Sequence, residues 1–112
     1  MIENILPPVV DEQTKVLIVG SMPGVQSLEK QQYYGNPRNH FWGIIGELTG
    51  AIVPEQYEER LALVKKHHIG LWDVIRECER VGSLDSNIKN EIPNDFVALF
   101  EQYPQIEAIF FN

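Results

Sequence analysis

The apolar residues of this chain change period along its length. Val16-Leu17-Ile18-Val19 is a continuous, largely β-branched run closed by Gly20, which predicts a strand buried on both faces. Ile69–Ile75 predicts a second strand, or a strand followed by a short turn, and Ile106–Phe111 a third. Between them the spacing becomes helical. Asn39 stands at an N-cap position, Phe41, Ile44, Ile45 and Leu48 share a face over His40–Thr49, and Gly50 ends that helix. Pro54 opens a second helix with Tyr57, Leu61 and Val64 on one face and Lys65, Lys66, His67 and His68 at its negative end. Pro93-Asn94 starts a third helix through Gln102, broken at Pro104, while Arg76–Ile92 reads as a polar loop around Gly82-Ser83-Leu84-Asp85-Ser86. The order β-α-α-β-α-β predicts an α/β protein of three layers with a central, mostly parallel sheet. No repeat or linker interrupts residues 1–112, so they are read as a single domain.

Composition narrows the class. Apolar content of 44% fits a globular protein, and no run is long enough to span a membrane. The N-terminus lacks the basic start and apolar core of a secretory signal, which makes the cytoplasm the expected compartment. A single cysteine excludes an internal disulfide and a cysteine-rich metal or cluster site, and no His/Cys/carboxylate spacing suggests a metal. Cys78 reads as an inert thiol. Net charge of −7 is awkward for a partner rich in phosphate. The acid lies mostly outside Thr14–Trp42, where Lys15, Lys30 and Arg38 face Glu29 alone.

That same stretch holds the candidate chemistry. Gly20-Ser21-Met22-Pro23-Gly24 follows the first strand, so its backbone lies at the carboxyl edge of the sheet, where α/β proteins place ligands. Glycine permits close approach and proline stiffens the turn, though an ordinary βα turn has the same composition. It is neither a phosphate-cradling Walker loop nor a nucleophile elbow, because no Gly-Lys-Ser/Thr and no Gly-x-Ser-x-Gly is present. Tyr33-Tyr34-Gly35-Asn36-Pro37-Arg38-Asn39-His40-Phe41-Trp42 then brings aromatics, a cation, amides and an imidazole together within ten residues. Phe41 and Trp42 belong to the core by their spacing.

A strand ending in Gly-x-x-Pro-Gly, with an aromatic before x-x-Pro-x-Asn-x-Phe-Trp, resembles the uracil-DNA glycosylase superfamily. The likeness is nearest to the mismatch-specific branch and the related hypoxanthine- or deoxyinosine-DNA glycosylases. Ser21-Met22-Pro23-Gly24 in place of Asn-Pro-Gly favours the deoxyinosine type. It continues through Gly70-Leu71-Trp72-Asp73-Val74 and Gly82–Ser86 to Ile109-Phe110-Phe111-Asn112, and so covers nearly the whole chain. Branches that hold an iron–sulfur cluster on four cysteines are excluded, and no cofactor is expected.

The resemblance implies double-stranded DNA containing a deaminated base as partner, and hydrolysis of the N-glycosidic bond as reaction. Such hydrolysis passes through an oxocarbenium-like state and needs a placed water. Asn39 is the amide in the matched pattern that can hold it, its alternative being the N-cap alone. Tyr34 matches the aromatic on which the extruded base stacks, or else is a loop residue packing on its neighbour. Gly20, Ser21, Met22, Pro23 and Gly24 would cradle the base, with His40, Ser83 and Asp85 lining the pocket. His40 also reads as a structural residue at a helix start, and Ser83 and Asp85 as parts of a turn. Arg38 and Lys30 would contact phosphate.

The superfamily carries a second block after its last strand, with Ser-Pro or similar residues in a loop that enters the minor groove. On that comparison the domain is expected to be incomplete, with its last strand or strands missing. The 112-residue chain would then lack base excision and self-associate through the open edge of Ile106–Phe111. Two other readings stay open: an inactive glycosylase-like fold that only binds DNA or a partner, and a small nucleotide or phosphate binder.

Overall fold

The computed structural model describes residues 1–112. Val16–Gly20 (β2) is central to a three-stranded parallel sheet, flanked by Ile69–Asp73 (β3) and Ala108–Phe111 (β6). Val16 pairs in register with Ile69 and Ala108, and Gly20 with Asp73. All three carboxyl ends therefore meet at one edge. Side chains alternate across the sheet. Leu17, Val19 and Trp72 pack with Leu99 of helix Phe96–Gln102 (α4) on one side. Leu71 packs on the other with Phe41, Trp42 and Ile45 of helix Phe41–Thr49 (α2) and Val64 of helix Tyr57–Lys66 (α3). Helix, sheet, helix is the three-layer α/β arrangement that the sequence predicts.

Four features correct the sequence reading. Strand Ile2–Glu3 (β1) and helix Val25–Lys30 (α1) are additional elements. The region read as a polar loop holds Ile75–Glu79 (β4), a 3-10 turn at Asp85–Asn87 and Lys89–Pro93 (β5). These strands form a second, antiparallel sheet in the order β1-β4-β5. β4 lacks clean alternation in sequence because only Ile75 and Cys78 enter the core, with Met22. Helix α2 also turns a different face inward. Phe41, Trp42 and Ile45 are buried, while Ile44 and Leu48 are exposed, Leu48 by 74%. The indole decides this: Trp42 Nε1 donates to the Tyr33 carbonyl at 3.2 Å, and its ring meets Phe41 edge-on.

Gly70 shows how closely the layers approach. A Cβ there would lie 2.9 Å from Thr14 Cγ2, Val10 Cγ1 and the Val9 carbonyl oxygen. β6 is the outer strand of the parallel sheet, and Phe110 and Phe111 on it are 59% and 78% exposed.

Candidate functional site

The carboxyl edge of the parallel sheet opens into a cavity of about 250 Å³ lined by Pro23, Gly24, Tyr34, Asn36, Asn39, Asp73 and Ser83, among others. Asp73, at the end of β3, lines it, whereas Gly20, its paired residue at the end of β2, is outside the lining set. A Cβ on Gly20 would stand 2.7 Å from Asp73 Oδ1 and 3.5 Å from the Tyr34 hydroxyl, so a larger residue at this position would displace the Asp73 carboxylate. The ladder continues past the strands: Val74 N–H donates to the Gly20 carbonyl and Ile75 N–H to that of Ser21. Thus the backbone of the Gly20–Gly24 turn is pinned at its start.

Asp73 is the group that sequence reasoning missed. It is only 4% exposed, and its Oδ2 accepts from Asn4 Nδ2 at 3.0 Å. Oδ1 receives no hydrogen bond from the protein and is left to the cavity. Burial is the main reason its carboxyl is pushed up from 3.8 to about 6; Asn4 opposes the shift and Asp85 adds to it. A signal was present in the sequence. An acid ending the apolar run Ile69-Gly70-Leu71-Trp72 lands at the ligand edge of a parallel sheet.

Tyr34 forms one wall. Phe41 stacks on it with ring centroids 3.8 Å apart and planes 16° from parallel. Its φ of 54° is left-handed backbone on a bulky residue, the kind of strain that persists where a site needs a side chain aimed. Burial pushes its phenol up, with Asn112 opposing and Asp73 adding, so the hydroxyl stays protonated.

Asn39 is at the rim, before α2. The residue at the N-cap position is His40, and not Asn39 as the sequence suggests, yet Asn39 Oδ1 accepts from Phe41 N–H at 2.8 Å and so satisfies the first amide of α2. An amide oxygen has a second lone pair, and the Nδ2 donors are uncommitted, so the same side chain can also serve the cavity it lines. Ser83 joins the wall from the far loop: its Oγ accepts from Val25 N–H at 2.9 Å, and a Cβ on Gly24 would be 3.3 Å from that oxygen.

Other expected site residues lie apart from this cavity. Met22 is buried against Ile75 and Cys78, where an apolar thioether belongs. Ser21 contributes its backbone carbonyl to the ladder, and His40 and Asp85 are exposed and outside the lining set. Arg38 is exposed on the Asn36–Asn39 turn. Lys30 lines a larger outer cleft of about 490 Å³ with Arg60, Asn36, Tyr34 and Asn39, and its Nζ donates to the Gly35 carbonyl. That cleft is broad and polar, whereas the smaller cavity holds the buried acid and the loop walls. The smaller one is therefore the candidate site.

Comparison with known proteins places the chain in a family. The family model of the uracil DNA glycosylase superfamily matches residues 7–111. A hypoxanthine DNA glycosylase of Methanosarcina acetivorans is 46% identical over 113 residues, spanning 100% of this chain and 72% of the relative. A hypoxanthine DNA glycosylase of Methanosarcina barkeri is 43% identical over 107 residues, 95% of this chain and 68% of the relative. A solution NMR structure of a Methanosarcina acetivorans protein, provisionally designated a uracil DNA glycosylase, superposes with a TM-score of 0.88 at 46% identity. It covers 100% of this chain and 70% of that one. On the family match and these relatives, the chain belongs to the uracil DNA glycosylase superfamily.

Proposed function

We propose that the protein removes a deaminated base, hypoxanthine in the first place, from double-stranded DNA by hydrolysis of the N-glycosidic bond. The observation that carries this reading is the convergence of Tyr34, Asn39 and the free oxygen of Asp73 on one cavity of about 250 Å³. A space this size takes a single base, being smaller than the roughly 300–1,000 Å³ of sites for drug-sized ligands. The base leaves the duplex, stacks on the Tyr34 face that Phe41 does not cover, and lies against Pro23 and Gly24 of the turn after β2. Asp73 accepts the ring N–H beside the carbonyl, a donor that hypoxanthine and uracil have and that adenine and cytosine lack. Asn39 orients the attacking water. Lys30 and Arg38 meet phosphate on the cleft side, and the reaction takes place in the cytoplasm.

Two expected results follow from this reading. Tyr34→Ala weakens binding to a deoxyinosine duplex by about 1–3 kcal/mol, while Tyr34→Phe is nearly silent, because the ring face does the stacking. Fluorescence anisotropy on both variants measures this. A lowered melting temperature with unchanged affinity would return Tyr34 to the core. The reading also includes self-association through the outer edge of β6, where exposed Phe110 and Phe111 flank unpaired backbone groups. Sedimentation at rising concentration should show a growing dimer fraction, and a strictly monomeric chain would refute it.

The reaction itself is read by alkali cleavage of an end-labelled duplex holding one deoxyinosine. Strand breaks at that position support the proposal, and an uncut strand opposes it.

A further inference from the structure

Arg80 lies just beyond β4 and is 8% exposed, yet no step above uses it. Its guanidinium has no carboxylate partner, since the structure's one ion pair joins Lys15 to Glu107 at the surface. Removing a guanidinium from water without a counter-charge is expensive. Two contacts offset this. Nη2 donates to the Pro23 carbonyl at 2.8 Å, and Nε donates to the Gly82 carbonyl at 2.7 Å. Nη1 is buried with no hydrogen-bond partner.

An apolar side chain of similar volume would fill this space without an orphaned donor, so stability does not account for the residue. Geometry does. Pro23 belongs to the turn after β2 and Gly82 to the loop after β4. These two segments supply Pro23, Gly24 and Ser83 to the base cavity. A planar guanidinium holds two N–H groups at a fixed separation and can address one carbonyl on each segment, which a lysine ammonium cannot do as rigidly.

We propose that Arg80 is a positioning residue that staples the Pro23–Gly24 turn to the Gly82–Ser83 loop and thereby sets the width of the base cavity. The bond from Val25 N–H to Ser83 Oγ closes the same gap from the cavity side, so its lifetime reports on the staple. The effect on catalysis rests on the glycosylase reading of that cavity, whereas the staple is a property of the fold.

Amide hydrogen exchange and base-release kinetics on wild type, Arg80→Met and Arg80→Lys test it. Exchange at Val25 should be at least ~10-fold faster in both variants relative to the amides of β2 and β3. KM for deoxyinosine DNA should rise about tenfold, with a smaller change in kcat, because the walls and not the attacking water are disturbed. Arg80→Lys should be the milder of the two. A merely structural arginine would lower the melting temperature but leave Val25 exchange, relative to the β2 amides, and KM unchanged, and that result overturns the proposal. If Arg80→Met does not fold, Arg80→Lys carries the same comparison. Absence of base release from the wild type would count against the glycosylase reading, and Val25 exchange would still decide the staple.

Discussion

Asn39→Ala is expected to slow release of hypoxanthine from DNA by about a hundredfold, the scale of removing one well-placed polar group from a transition state. Asn39 has two duties, and alanine ends both. Its Oδ1 caps α2 through Phe41 N–H, so the substitution also costs about 1 kcal/mol of stability. Asn39→Asp separates the two. A carboxylate still accepts from Phe41 N–H and keeps the cap, but it cannot donate, and it brings a charge to the rim of a cavity that already holds Asp73. Single-turnover kinetics with a melting curve on each variant give the answer. Full activity in Asn39→Ala, with the fold intact, would reduce the residue to a helix cap.

Asp73→Asn should lower kcat/KM for deoxyinosine by roughly 5- to 150-fold, the worth of one good base-edge contact at about 1–3 kcal/mol. It should also relax discrimination against adenine, because an amide can turn its donor toward a bare ring nitrogen. The pH profile makes the test sharper. With the Asp73 carboxyl at about 6, the wild-type kcat/KM falls as pH drops below that value, about tenfold per unit. In Asp73→Asn this limb disappears. Unfolding cannot imitate the effect, as the sign of the linkage shows. A carboxyl whose pKa is raised on folding favours the folded state when protonated. Its contribution is complete below the ordinary 3.8 and is lost as pH rises through about 6, some 3 kcal/mol in all. Acidification from pH 7 to pH 5 therefore stabilises the protein through Asp73 while it slows the reaction. An acid limb that persists in Asp73→Asn would assign the titration elsewhere.

The central strand of the parallel sheet was legible because a strand covered on two faces must be apolar throughout, and β2 reads so directly; β6 is as apolar in sequence, although most of its residues are exposed at the sheet edge. Helices α2, α3 and α4 were legible from spacing and from their end signals. The antiparallel sheet was not. Lys89-Asn90-Glu91-Ile92-Pro93 is almost wholly exposed and buries too little to imprint a period of two, and β4 sends only Ile75 and Cys78 inward. The lining of the candidate cavity was legible where a turn supplies it, at Pro23, Gly24, Tyr34 and Asn39. It was not legible where one side chain decides. Met22 stands in the middle of the turn, yet the turn points it into the core, and nothing in its neighbours reports that direction. Asp73 was visible as an acid at the end of an apolar run, but its contact with Asn4 joins residues 69 positions apart, and no local pattern carries such a pairing.

In the proposed reaction this cavity receives a deaminated base, which the protein cuts from its sugar. The most direct measurement is free base, quantified by chromatography, after incubation of the protein with duplexes that differ only in one nucleotide: deoxyinosine, deoxyuridine, deoxyadenosine or deoxycytidine. The account predicts free hypoxanthine, in amounts equal to the alkali-labile sites formed, uracil more slowly, and neither adenine nor cytosine. No base from any of the four, or release of adenine as readily as hypoxanthine, would contradict it.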